Sequence, residues 1–178
     1  MSKAVLVLFI LHPSALIPFS VMAENLQKLK WRGQFFRYVP LFLWIGLVLF
    51  LSTGQASMSN TSRFVRPLLE FLFPNSPEEI LIVYHGYIRK LAHVTEYAIL
   101  AFWASRAFSS SNLIFLRRFW FLFAFVLVSL VASIDETNQS YIASRTGSLD
   151  DVLLDIAGGT AMLLVFYSIT KYRTRHII

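Results

Sequence analysis

Long apolar runs separated by short polar segments are the feature that most restricts how this chain folds. Val39 to Thr53, Phe119 to Ile134 and Val152 to Thr170 approach the roughly 20 residues that a helix needs to cross a bilayer. A fourth run, Tyr87 to Phe108, begins with ionisable residues. Charged residues make up only 15% of the 178 residues, against about 25% in soluble domains. We therefore predict an all-α integral membrane helical bundle with four core transmembrane helices.

The N-terminal segment Ala4 to Ala23 is also apolar but contains Pro13 and Pro18, which suit a straight span poorly. Three interpretations remain open: a signal peptide, an additional N-terminal apolar helix, or an upstream extension of a reading frame that starts at Met22. Cleavage would leave the basic residues that follow outside the cell, against the usual cytoplasmic bias of Lys and Arg. Cleavage is therefore the least favoured interpretation.

The chain divides into three predicted segments. Residues 1–36 form an N-terminal apolar segment with a basic flank, residues 37–170 form the transmembrane domain, and residues 171–178 form a basic cytoplasmic tail. Between the first two spans, Arg63 to Phe73 has apolar residues near helical spacing and is predicted to lie along the membrane interface.

The distribution of basic residues predicts the orientation of the bundle in a cell membrane. With four spans and the N-terminal flank inside, ten basic residues fall inside and five outside, as the positive-inside rule expects. The inner set is Lys28, Lys30, Arg32, Arg37, Arg106, Arg117, Arg118, Lys171, Arg173 and Arg175, and the outer set is Arg63, Arg66, Arg89, Lys90 and Arg145. The ionisable clusters of the last three helices then converge on the extracytoplasmic side.

Spacing places the polar residues of each predicted helix on one face. On the second helix, Lys90, His93 and Tyr97 are three and four residues apart, and Glu96 lies three beyond His93. The third helix carries Asp135, Glu136 and Gln139, and the fourth carries Asp151 and Asp155 followed by Gly158 and Gly159. The two glycines predict close approach of another helix backbone.

Together these residues predict a site for phosphate chemistry. His93 is a candidate acid or base, and the carboxylates are suited to a hard divalent cation, although no cofactor is identified by the sequence. Lys90 and Arg145 are suited to a phosphate. The predicted catalytic residues are His93, Glu96, Asp135, Glu136 and Asp155, and the predicted substrate-binding residues are Lys90, Tyr97, Gln139, Arg145 and Asp151.

The predicted partners are membrane lipids or a lipid-linked envelope precursor. The formal net charge of +6 does not indicate nucleic acid, because the basic residues flank the spans and face anionic lipid. The absence of cysteine excludes disulfides, thiolate metal sites and cysteine nucleophiles.

A purely structural interpretation of the same residues also stands. Lys90 and Arg145 could serve only to neutralise the aspartates in a network that locks the helices together. Asp155 is hardest to explain in this way, because a carboxylate about one turn inside an apolar helix needs a partner.

Three runs together resemble the VanZ-like family: R-K-x-x-H-x-x-E-Y at Arg89 to Tyr97, D-E-x-x-Q at Asp135 to Gln139, and the stretch from Arg145 to Gly159. The resemblance covers about residues 37–170. It implies a small multispan bacterial membrane protein of the cell envelope, whose namesake is associated with low-level teicoplanin resistance. It does not imply a particular chemistry.

Two functions follow as expectations. The first is an intramembrane enzyme acting on the phosphate head group of an envelope lipid. The second is a non-enzymatic lipid-binding or scaffold protein whose polar cluster only holds the helices. A transporter is less favoured, because four spans are few for paired repeats.

Overall fold

A computed structural model describes residues 19–53, 58–141 and 148–176, and this part of the chain is almost entirely helical. Its helices, numbered in chain order, are α1 Phe19–Ser52, α2 Met58–Leu72, α3 Glu78–Ser109, α4 Ile114–Arg118, α5 Trp120–Ser140 and α6 Leu149–His176. The described residues contain no strand. The all-α prediction is confirmed.

The chain forms two compact units, Met1–Phe36 and Arg37–Ile178. The predicted site residues that the structure describes belong to the second unit. The three interpretations of the N-terminal apolar segment mostly concern residues 4–18, which lie outside the described residues.

Within the described residues, three helical segments are long and apolar enough to cross a membrane: Gly33–Ser52, Trp120–Ser140 and Leu149–Arg173. These segments contain the predicted first, third and fourth spans, except for the terminal residues Thr53 and Phe119. The outward faces of α5 and α6 expose apolar side chains suited to contact with lipid, among them Leu122, Val126, Leu130, Leu164, Val165 and Ile169. These features are those of a membrane protein.

The predicted second span, Tyr87 to Phe108, lies within α3 but is not among these three segments. Along this stretch, α3 carries Arg89, Lys90, Glu96 and Arg106, which lower its mean hydropathy. The prediction of four core spans is therefore not confirmed by length and composition.

Helix α2 is amphipathic and begins five residues before the predicted interfacial segment. It exposes Phe64, Leu68 and Phe71, whereas Leu69 is buried. The helix ends at Leu72, before Pro74, and α3 starts directly after Pro77. Pro74 lies beyond the end of α2 and Pro77 caps the start of α3, positions where a missing N–H costs no helical hydrogen bond. Pro40 and Pro67, by contrast, lie inside α1 and α2.

The core of the second unit lies where α3 packs against α5 and α6. Small residues on α3 line this contact and let the helices approach closely. The fully buried side chains include Tyr97, Leu100, Ala101 and Ala104 of α3, Val128 and Ala132 of α5, and Leu163 of α6. Polar side chains on these helices are thereby brought together.

The two adjacent glycines of α6 each face a different helix. A Cβ atom on Gly158 would lie 2.8 Å from the carbonyl oxygen of Val94 on α3, and one on Gly159 would lie 2.6 Å from Cγ1 of Val128 on α5. Neither position has room for a side chain as packed. The predicted role of these glycines in close helix approach is confirmed.

Candidate functional site

Three ionisable side chains from three helices meet in the second unit: His93 of α3, Asp135 of α5 and Asp155 of α6. The Nδ1 atom of His93 lies 3.7 Å from Oδ2 of Asp155 and 4.0 Å from Oδ2 of Asp135. One nitrogen or oxygen atom from each residue lies within 4.8 Å of the others. We call these three residues the polar cluster. The expectation that ionisable groups distant in sequence converge is confirmed for them.

Asp135 is held in place by hydrogen bonds on both carboxylate oxygens. The Tyr97 hydroxyl donates to Oδ2 at 2.8 Å, and Nε2 of Gln139 donates to Oδ1 at 2.9 Å. The hydroxyl of Ser52 donates to the backbone carbonyl of Asp135 at 3.1 Å, which ties the end of α1 to α5. Tyr97 and Gln139, both predicted to bind substrate, are buried and support Asp135.

The carboxylate of Asp155 is buried without a hydrogen-bond donor among the described residues. Its exposed fraction is 1%, and neither carboxylate oxygen has a hydrogen-bond partner among the described residues. It lies one turn before the glycines that draw α6 against α3 and α5, so close helix packing holds it inside. An ionised carboxylate in such a place costs several kcal/mol unless it is paired. Asp155 therefore requires a cation or a proton.

A cavity of about 130 Å³ lies against His93 and Asp135. It is enclosed by the ends of α1 and α5, the middle of α3 and one residue of α2. Its wall is formed by Val48, Leu51, Ser52, Thr61, Arg89, Ala92, His93, Glu96, Asp135 and Gln139. It therefore offers a cation, carboxylates and an imidazole beside apolar side chains.

Arg89 is a cavity residue that was not among the predicted site residues. It lies four residues before His93, so the two side chains share one face of α3. The four-residue spacing from His93 already indicates from the sequence that Arg89 shares the face of His93. Lys90 is one residue further along and therefore points about 100° away from Arg89 around the helix. Arg89, rather than Lys90, is the basic residue of the described chain that lines this cavity.

Lys90 and Asp151 lie at the surface and face each other. Nζ of Lys90 is 3.5 Å from Oδ1 of Asp151, and their side chains are 59% and 36% exposed. Exposed pairs of this kind contribute about 0–1 kcal/mol. The contact fits the structural interpretation of these two residues. Arg145, the other predicted phosphate ligand, lies outside the described residues.

The two predicted glutamates occupy different surroundings. Glu136 is buried and accepts a 2.5 Å hydrogen bond from the backbone N–H of Ser148, just before α6. Glu96 is partly buried in the cavity wall, and its backbone carbonyl accepts a hydrogen bond from Nε1 of Trp44 at 3.0 Å. Glu136 thus holds the start of α6, whereas Glu96 remains beside the polar cluster.

An apolar groove of about 480 Å³ runs between α1 and α3 next to the cavity. The groove and the cavity share Leu51, Ala92 and Glu96. The remaining groove residues are Trp44, Leu47, Ile88, Leu91, Thr95 and Ile99. The cavity beside the ionisable residues and the open apolar groove are thus contiguous.

A second hollow, of about 340 Å³, lies between α2 and α3 and is lined in part by Arg66, Glu78 and His85. Nε2 of His85 lies 3.2 Å from the Thr61 hydroxyl. Burial lowers the pKa of His85 below its ordinary value of 6.5, and the charge of Arg89 lowers it further. His85 lines this hollow and is not one of the three residues of the polar cluster.

Comparison with known proteins identifies one family. The model of the VanZ/LLP1 family matches residues 8–170, which is most of the chain. No significant match was found among curated proteins or among solved structures.

Proposed function

The chain belongs to the VanZ/LLP1 family, and from that premise we propose that it is an integral membrane enzyme of the bacterial cell envelope. It acts on the phosphate head group of an envelope lipid, either a membrane lipid or a lipid-linked envelope precursor. An amphiphilic substrate needs a polar pocket and an apolar channel in contact with each other. The observation that carries the proposal is the shared wall of the cavity and the groove at Leu51, Ala92 and Glu96.

The cavity residues supply groups suited to phosphate chemistry. The guanidinium of Arg89 is a fixed positive charge that matches phosphate oxygens. Phosphoryl chemistry depends mainly on positioning and on neutralisation of charge. In the simplest form of the proposal, Arg89 binds the phosphate and a ring nitrogen of His93 exchanges a proton with the head group.

We propose that α3 is the fourth transmembrane helix. Its 32 residues give a length of about 48 Å, more than the roughly 30 Å of the hydrocarbon core. It packs against both α5 and α6, which are apolar enough to span. Its ionisable residues face the cavity or the membrane edge, where such groups are tolerated.

The proposed orientation puts the cavity on the extracytoplasmic side. Arg106, Arg117 and Arg118 lie at the ends of α3 and α4, away from His93 and Asp135 along α3 and α5. The basic tail of α6 lies at the end remote from Asp155. The excess of Lys and Arg on that side supports a cytoplasmic assignment for it.

A change in an envelope lipid would alter how a glycopeptide reaches its target. The proposed phenotype is therefore reduced susceptibility to teicoplanin, the property that the resemblance attaches to the family's namesake.

A non-enzymatic lipid-binding or scaffold protein is the second candidate. It is favoured by the contacts that plainly join helices, such as Lys90 with Asp151 and Glu136 with Ser148. In this candidate the groove still holds lipid, but no lipid is chemically changed.

Mass spectrometry of total lipids separates the two candidates. Cells lacking the gene are compared with cells that express the wild-type chain, Asp155→Asn or the matched control Asp150→Asn, whose carboxylate is exposed on the same helix. The enzyme proposal expects a lipid species that changes with the wild type and the control but not with Asp155→Asn. Identical lipid profiles in all four strains, with equal membrane abundance of the protein, would favour the scaffold.

A further inference from the structure

We propose that the polar cluster binds one divalent transition-metal ion of the zinc class, with His93, Asp135 and Asp155 as its protein ligands. This inference rests on the proposed function and revises one step of it, because His93 then binds the ion and does not exchange a proton with the head group. It can be tested without any knowledge of the lipid substrate.

The spacing of the donor atoms is close to that of a metal site. Zinc binds imidazole nitrogen and carboxylate oxygen at about 2.0–2.2 Å, which puts two ligand atoms about 3.4 Å apart at tetrahedral angles. The separations from His93 Nδ1 are 3.7 Å to Asp155 and 4.0 Å to Asp135. All three donor atoms lie within 4.8 Å of one another. Pairs of donor atoms must therefore approach by about 0.3 Å to as much as about 1.4 Å to reach the tetrahedral spacing, which rotation of the three side chains can supply.

The two buried carboxylates of the cluster favour a bound cation. Asp135 and Asp155 are 2% and 1% exposed, and each has a carboxylate oxygen within 4.8 Å of the other's. Asp135 has two hydrogen-bond donors, but the two oxygens of Asp155 are buried without one among the described residues. Among the described residues, the contact within salt-bridge distance of Asp155 is Nδ1 of His93, which at 3.7 Å is too far for a hydrogen bond. A divalent ion between the three residues neutralises both carboxylates.

Asp135 is oriented as metal-binding carboxylates usually are. Outer hydrogen bonds hold such ligands in position, and here Tyr97 and Gln139 supply them. The Oδ2 atom that accepts from Tyr97 is also the one that faces His93. A carboxylate oxygen has two lone-pair sites, so Oδ2 can accept the hydrogen bond from Tyr97 and bind the ion at the same time.

The ligand set selects among ions. Calcium takes 6–8 oxygen ligands and magnesium demands near-octahedral oxygen coordination, whereas imidazole suits zinc and related transition metals. Three protein ligands leave a fourth position open, the arrangement typical of catalytic rather than structural zinc. Because His93 and Asp135 line the cavity, that position is reached by a phosphate oxygen or water from the cavity.

Metal analysis of the purified chain tests the inference. The full-length protein, without a polyhistidine tag, is purified in detergent, equilibrated with Zn²⁺ and then dialysed before elemental analysis by mass spectrometry. The chain has no cysteine, so bound zinc cannot come from thiolates. We expect one zinc ion per chain in the wild type, and affinity weaker by more than about tenfold in His93→Gln and Asp155→Asn.

His85→Gln and Asp150→Asn are matched controls, because they make the same chemical changes on α3 and α6 outside the cluster. Both should retain the zinc of the wild type. If Asp155→Asn does not fold, His93→Gln and a Zn²⁺-dependent rise in the unfolding temperature of the wild type serve instead. Absence of zinc from the wild type, or equal zinc in cluster and control variants, would overturn the inference.

The outcomes also separate this inference from the proposed function. If zinc binds at the cluster but no lipid is changed, the metal site is supported and the proposed enzymatic function is excluded. If a lipid changes in a way that depends on His93 but no metal is bound, the enzymatic function stands and the metal site is excluded. In that case a proton on Asp155 takes the place of the ion.

Discussion

The imidazole of His93 on α3 lies 3.7 Å from the carboxylate of Asp155 on α6, which is buried and has no hydrogen-bond partner among the described residues. The two helices meet this closely because Gly158, one turn after Asp155, contacts the backbone of α3. The close packing of α3 against α6 therefore sets the distance between His93 and Asp155.

Gly158→Ala should destabilise the bundle. The new Cβ atom would meet the carbonyl oxygen of Val94 at 2.8 Å, and backbone cannot rotate away as a side chain can. We expect a loss of about 1–3 kcal/mol, in the range of overpacked cores, measured as a lower unfolding temperature in detergent. Gly46→Ala is the matched control, since a Cβ atom there has no neighbour within 4 Å. Equal effects of the two substitutions would contradict the close contact.

Gly159→Ala should be rescued by a second substitution. Here the obstacle is a methyl group of Val128 at 2.6 Å rather than backbone. Val128→Ala removes that methyl, so the double variant should be more stable than Gly159→Ala alone. A double-mutant cycle of unfolding temperatures measures the coupling. Strictly additive effects would mean that the two residues do not touch.

Tyr97→Phe should weaken the support of Asp135. It removes the hydroxyl that donates to Oδ2 at 2.8 Å and leaves the rest of the side chain in place. Loss of a donor to a buried acceptor costs about 1–3 kcal/mol, and loss of an outer hydrogen bond typically lowers metal affinity by about 10–100-fold. Zinc titration of both forms is the measurement, and unchanged affinity would argue against Asp135 as a ligand.

Arg89→Gln should impair lipid modification more than Lys90→Gln. Arg89 lines the cavity, whereas Lys90 lies at the surface beside Asp151. Lys90→Gln should change stability by no more than about 1 kcal/mol, as expected of an exposed pair. The comparison uses lipid mass spectrometry at equal protein abundance. A larger loss with Lys90→Gln would show that the surface residue contacts the substrate.

Stability should fall as the pH drops below the ordinary pKa of His85. That residue precedes the proposed span of α3, and burial together with Arg89 lowers its pKa below 6.5. The unfolded chain then binds more protons than the folded chain in this range, so the free energy of unfolding decreases with falling pH. His85→Gln should flatten the dependence of unfolding temperature on pH below about 6.5. An unchanged slope would mean that His85 titrates alike in both states.

Much of the fold is predictable from the sequence, because the length of an apolar run and the position of a glycine each determine the structure of their own part of the chain. The runs around Val39, Phe119 and Val152 lie in segments long and apolar enough to span, and Gly158 and Gly159 make the predicted close contacts. The span in α3 could not be confirmed in the same way, because its charged residues obscure the apolar signal.

The site was only partly predictable for a geometric reason. Helical spacing identifies which residues share a face, but not which face turns toward the other helices. Hence the meeting of His93, Asp135 and Asp155 was expected, whereas Arg89 was overlooked in favour of its neighbour Lys90. The partner of Glu136, the backbone N–H of Ser148, depends on the path of the chain before α6.

The most direct measurement is lipid turnover by the purified protein. Wild-type protein, His93→Gln and the control His85→Gln are reconstituted with a total membrane lipid extract, and the lipids are analysed by mass spectrometry before and after incubation. The account predicts that a phosphate-bearing lipid changes with the wild type and with His85→Gln, but not with His93→Gln. Turnover by His93→Gln equal to that of the wild type would contradict the central claim that this cluster is the reactive centre.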